Sequence, residues 1–146
     1  MTDNELFSKK ASENYMVCFV NDCPLHEDCL RWKTGRYVSP TQIVCNCVNP
    51  HYEDVGTDTC PMYRKGKMVT MAKGMKNIFT DDMPRGLVSF IRATLIEHWH
   101  RTYYFECRNG SRLITPSMQE HVRQLFRKQG WEKEIHFDEY VEAYEW

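Results

Sequence analysis

No run of apolar residues in this 146-residue chain is long enough to span a bilayer, so a soluble protein is expected. Residues 1–17, MTDNELFSKKASENYMV, lack the charged start, apolar run and small-residue cleavage site of a secretory leader. A cytoplasmic location is therefore expected, and disulfides become the least favoured use of the cysteines. The chain has no C-x-x-C, no H-E-x-x-H and no glycine-rich phosphate loop. No recognisable motif sets a serine or cysteine nucleophile beside a histidine. His98, His100 and His121, with Glu97 or Glu120, supply fragments of acid–base chemistry. They do not make a complete constellation, and an enzyme is not expected. Net charge is also scarce, at −1, so the chain as a whole carries no field that attracts nucleic acid.

What the chain does have is cysteine, seven in all, with six between Cys18 and Cys60 and Cys107 alone downstream. The spacing is Cys18-x4-Cys23-x5-Cys29, then Cys45-x-Cys47, then Cys60. Three closely spaced thiols and a fourth returning from a later loop supply the tetrahedral sulfur shell that zinc prefers, so Cys18, Cys23, Cys29 and Cys60 are the candidate ligands. The same four thiolates suit an iron–sulfur cluster, and Cys23-Pro24 and Cys60-Pro61 resemble the Cys-Pro ending of ferredoxin runs. His26 and His51 are substitutes for one ligand, and plain reduced thiols are the metal-free alternative. In TQIVCNCV, Ile43, Cys45 and Cys47 alternate with polar and apolar neighbours, which predicts a strand over 42–48 with both sulfurs buried on the Ile43 side.

Taken in order, the polar residues 1–14 predict a frayed end or a short surface helix in which only Leu6 and Phe7 pack. Pro24, Gly35, Pro40, Pro50 and Gly56 then break the cysteine-rich region, 15–62, into loops and short elements that something must hold. Met68, Met71, Ala72, Met75 and Phe79 predict a helix despite Gly74. Leu87, Val88, Ile91, Leu95 and Trp99 predict an amphipathic helix over 84–99. Asn109-Gly110 between alternating residues predicts a type I′ hairpin with Tyr103, Phe105, Cys107 and Ile114 on its buried face. Thr115-Pro116 caps a helix that ends at Gly130, and Phe137, Tyr140, Val141 and Tyr144 predict a short terminal helix. The expected fold is α+β over a single domain, 1–146, with the cysteine-rich half packed on a helix, hairpin, helix, short-helix half at 63–146.

Charge is segregated although it nearly cancels. Residues 84–130 are rich in Arg and residues 131–146 in Glu and Asp. Arg108, Arg112, Arg123 and Arg127 are candidate anion or nucleic-acid contacts, with the hairpin acting as a wing, although mutual cancellation of the two fields is the simpler reading.

The blocks NDCPLHEDCLRW, TCPMYRKGKMVTMAKGM, IRATLIEHWHRTYY, PSMQEHVRQLFRKQGW and FDEYVEAYEW, in that order, resemble a bacterial family of unknown function over nearly the whole chain. The resemblance implies family cysteines at Cys18, Cys23, Cys29 and Cys60, with Cys45 and Cys47 as extras, and it implies no activity. The expected role is a small binding or regulatory module with a structural zinc. An iron–sulfur redox or sensor protein, a nucleic-acid binder and a metal-free thiol protein are the alternatives. A protein partner is expected ahead of nucleic acid, and no membrane.

Overall fold

A computed structural model describes all residues, Met1–Trp146. The fold is α+β, with five helices and one two-stranded antiparallel sheet. The order is α1 (Asp3–Ser12), α2 (Leu30–Gly35), β1 (Met68–Lys73), α3 (Arg85–Trp99), α4 (Arg101–Asn109), α5 (Pro116–Lys128) and β2 (Glu139–Tyr144). The chain divides into two compact units, Met1–Lys67 with Tyr144–Trp146, and Met68–Ala143.

In the first unit, the polar N-terminus is a capped helix. Glu5 N–H donates to Thr2 Oγ1 at 3.2 Å and Thr2 N–H donates to Glu5 Oε2 at 2.7 Å, a reciprocal capping box that satisfies two otherwise unpaired donors. Phe7 and Ala11 are its buried residues. Phe7 stacks on Tyr37 and Tyr144 at 5.6 Å each and meets the edge of Trp146 at 5.8 Å, so the last three residues of the chain complete this unit. From Arg36 to Lys67 there is neither helix nor strand. Two single-residue pairings substitute, Val17 with Cys47 and Cys29 with Lys65. The strand expected over 42–48 does not form: Ile43 is 98% exposed and Cys47 is exposed. Alternation alone gives no partner, and Val17 pairs with only one residue of the segment. That pairing buries Val48, whose N–H donates to Val17 O at 2.9 Å, rather than the Ile43 side.

The second unit buries Ile91, Leu95, Tyr104, Cys107, Ile114, Val122 and Phe126 completely. α3 and α5 follow the sequence periodicity. Thr115 Oγ1 accepts from Met118 N–H at 3.3 Å, Pro116 opens α5, and Gly130 follows its end at φ +84°. Three expected elements are replaced. Tyr103 to Asn109 belong to α4, not to a hairpin, because Gly110 at φ +84° caps a helix C-terminus. The positive φ that Asn-Gly offers a type I′ turn serves a helix end equally well. Tyr104 and Cys107, three residues apart, form the buried face, and Ile114 pairs with Ala72 through two backbone hydrogen bonds of 2.9 and 2.8 Å. The methionine-rich segment after Met68 forms β1, and the segment Glu139–Tyr144 forms β2 in place of the short terminal helix. Each strand supplies the hydrogen-bonding edge that the other lacks, which outweighs a weak helical preference interrupted by Gly74.

Gly74 and Asp138 lock this arrangement. Asp138 Oδ2 and Oδ1 accept the N–H groups of Lys76 and Asn77 at 3.1 and 2.7 Å, and Asp138 N–H donates to Gly74 O at 3.1 Å. Gly74 has φ +83°, and a Cβ there would lie 2.5 Å from Asp138 Oδ2. Gly74→Ala is expected to cost about 2–3 kcal/mol and Asp138→Ala about 1–2 kcal/mol in denaturant unfolding. Because Asp138→Ala removes the atom that collides, the double variant should be less destabilised than the sum by about 1 kcal/mol. Strict additivity would show that backbone strain alone makes Gly74 necessary.

Candidate metal centre

Four turns in the first unit bring Cys18, Cys23, Cys29 and Cys60 to the wall of one cavity, shared with His26, Arg31, Trp32, Val48 and Met62. Each turn is fixed by its own backbone hydrogen bonds. Cys18 N–H donates to Arg31 O at 3.0 Å, next to the Val17–Cys47 pairing. Cys23 O accepts His26 N–H at 3.2 Å and contacts His26 Nδ1 at 2.7 Å. Cys29 is the N-cap residue of α2, and it is flanked by the Leu30 N–H to Arg64 O and Gly66 N–H to Asp28 O bonds, both 2.7 Å. Cys60 closes the last turn, donating to Thr57 O at 3.2 Å and accepting from Tyr63 N–H at 3.3 Å.

The cavity offers about 20 Å³ to the centre of a water-sized body, where roughly 10–15 Å³ suffices for one water. It is therefore sized for a single small occupant. Burial pushes the Cys18 thiol above its ordinary value; the Val20 backbone N–H opposes this, and the proximity of Cys29, Cys23 and Cys60 reinforces it. As the side chains stand, no group of three or more His, Cys, Asp or Glu is arranged to hold a metal ion. The cysteines share a cavity wall without forming a ready coordination sphere, and all seven are free of disulfides.

Sequence reasoning did not single out Arg31. It is 7% exposed, and its Nε and a terminal nitrogen donate to Met62 O at 2.8 Å and Met16 O at 3.0 Å. Its guanidinium also lies over the Tyr15 ring at 5.1 Å, but it meets no carboxylate. Arg31 is also one of the residues that line the thiol cavity. An arginine in CLRWKTGR reads as solvated by its charge, and no periodicity marks it as buried.

The remaining candidates are dispersed. His26 reaches the cavity, whereas His51 is exposed outside it. Cys107 is fully buried in the second unit, and burial pushes its thiol up to about 11, so it stays neutral. His98 and His121 meet edge to face at 5.5 Å. Arg112 pairs with Glu106 at 2.7 Å, Arg127 with Glu120, and Arg123 stacks over Phe137 at 5.4 Å. Arg108 is half-buried on α4, and with the hairpin replaced by a helix there is no wing to carry it or Arg112.

Fold and cavity together define a small α+β protein whose N-terminal unit is built around converging cysteines. The chain belongs to a family of unknown function (DUF6078), whose model matches residues 1–146. No curated protein and no solved structure matches it. No helix is long and apolar enough to cross a membrane.

Arg31→Met should lower stability by about 3 kcal/mol in urea unfolding, since two charge-assisted hydrogen bonds to backbone are lost and two buried carbonyls are left bare. Arg31→Lys keeps the charge but cannot bridge both carbonyls, and should recover less than half of the loss.

Proposed function

We propose that this is a binding or regulatory protein whose N-terminal unit is ordered by one zinc ion held by Cys18, Cys23, Cys29 and Cys60. The observation that carries the reading is the meeting of these four thiols, from separate turns, at a cavity with room for one ion. The donor set suits a closed tetrahedral site with no open position for substrate, and the cavity favours a single ion over an iron–sulfur cluster. Zinc, when bound, would supply folding energy to a region with no helix or strand from Arg36 to Lys67.

The chain's own residues do the rest. Arg31 holds the cavity wall in place by bonding the Met16 and Met62 carbonyls. The Val20 N–H stabilises the Cys18 thiolate. The Cys23 carbonyl, held by His26, fixes the turn that presents its thiol.

Metal analysis by plasma mass spectrometry on anaerobically purified protein is expected to give about one zinc per chain. Cys23→Ser and Cys29→Ser should lose the zinc and unfold the first unit, while Cys107→Ala keeps the metal and costs on the order of 1 kcal/mol in packing. A metal-free protein whose fold ignores chelators would overturn the proposal, and iron with sulfide would replace it with the cluster reading.

Acid should release the metal. Each thiol must lose its proton to bind zinc, and Cys18 holds its proton more tightly than an ordinary cysteine, so zinc affinity falls as pH falls. Competition with a chromogenic chelator across pH measures this, and Cys45→Ala, which leaves the four ligands intact, should give the same curve as the parent protein. Affinity independent of pH would exclude thiolate ligands.

A further inference from the structure

The junction between α3 and α4 is a single residue, His100, at φ +65° and ψ 156°. That conformation belongs to glycine, because a Cβ crowds the backbone there, and a histidine holds it only when its surroundings force it. Nothing local asks for a break at this point. From Leu87 to Asn109 the sequence contains neither glycine nor proline. Leu87, Ile91, Leu95, Trp99, Tyr103 and Cys107 recur every four residues straight through the junction, the spacing of one helix face. The two helix ends made by the break are poorly finished. No side chain caps the N-terminus of α4, whose first turn holds Arg101 and no acid, and Glu97 lies in the last turn of α3 beside His98. Arg101 and Glu97 each have the wrong sign for the dipole end they occupy. In one continuous helix the same two residues stand at i and i+4, Glu before Arg, the favourable order of an ion pair. They do not pair in the bent chain, where Arg101 lies over the Phe105 ring at 5.3 Å instead.

Local sequence therefore favours a helix running unbroken from Arg85 to Asn109, and tertiary packing overrules it. α4 packs against α3 and β1, and Ile91, Leu95, Tyr104 and Cys107 are completely buried. A straight helix would pull these residues apart, so it can exist only where another molecule restores their cover. The surface that fits them is the one they already fit, on a second copy of this chain. We infer that the chain forms an arm-exchanged dimer, in which His100 enters the helix and the segment from Arg101 onward packs on α3 and β1 of the other copy. The strain at His100 is released in each copy, the Glu97–Arg101 pair forms in each, and the buried contacts are conserved. This dimer needs no metal and is independent of the zinc reading.

The full chain, kept reduced and supplied with equimolar zinc, is unfolded in urea and refolded at about 10 µM and about 1 mM, and its mass is read by light scattering after size exclusion. Dimer is expected at the higher concentration. His100→Ala keeps the strain of the bent form and favours the helix, so its dimer association constant should rise about fivefold. His100→Gly relaxes the bent form, so its constant should fall at least tenfold. Glu97→Lys, a change at an exposed side chain, sets like charges at i and i+4 of the straight helix and should lower the constant about fivefold. In dimers of mixed isotope-labelled copies, filtered NOEs should join α3 side chains of one copy to α4 side chains of the other. Monomer at both concentrations for the parent and for His100→Ala would overturn the inference. So would a dimer whose constant ignores residue 100, or α3–α4 NOEs confined to one copy.

Discussion

The first unit depends on one constraint: a long segment without helix or sheet must be held by side chains. Backbone ladders normally satisfy buried polar groups and fix register together, and between Arg36 and Lys67 two single-residue pairings do little of either. Arg31 compensates by tying Met16 to Met62 through their carbonyls, so that one buried guanidinium joins the segment before the cysteines, the short helix among them and the loop that follows. Arg31 and the four cysteines line the same cavity. One buried cation thus holds loops together by hydrogen bonds while meeting no carboxylate.

The second unit is held differently, by an ordinary apolar core under helices that meet a two-stranded sheet. Its polar groups are handled locally. Buried Gln119 donates to Thr70 O and Ile114 O at 3.1 and 2.9 Å, and Asp138 accepts the two N–H groups beyond the end of β1. None of this calls for a bound ion. The only thiol in this unit, Cys107, is fully buried and behaves as a small hydrophobe.

Much of this was legible beforehand. The four cysteines chosen by spacing all reach one cavity, and the α3 and α5 helices follow their apolar stripes. What was not legible has a common physical cause. Cys45 and Cys47 alternate as a buried strand would, yet no second strand is present to pair with them. Asn109-Gly110 fits a hairpin and a helix end alike, because both need positive φ. Arg31, between Leu30 and Trp32, is buried because two carbonyls from distant segments converge on it.

The sequence by itself determined the two strongly periodic helices and the Thr115-Pro116 cap, because each depends on the chemistry of near neighbours. Tertiary structure alone decided that Met68–Lys73 and Glu139–Tyr144 are strands, that Tyr144–Trp146 complete the N-terminal unit, and that Arg31 lies against the cysteines. A strand needs an edge and a buried charge needs its acceptors. Here those partners lie tens of residues away, where local propensity carries no information about them.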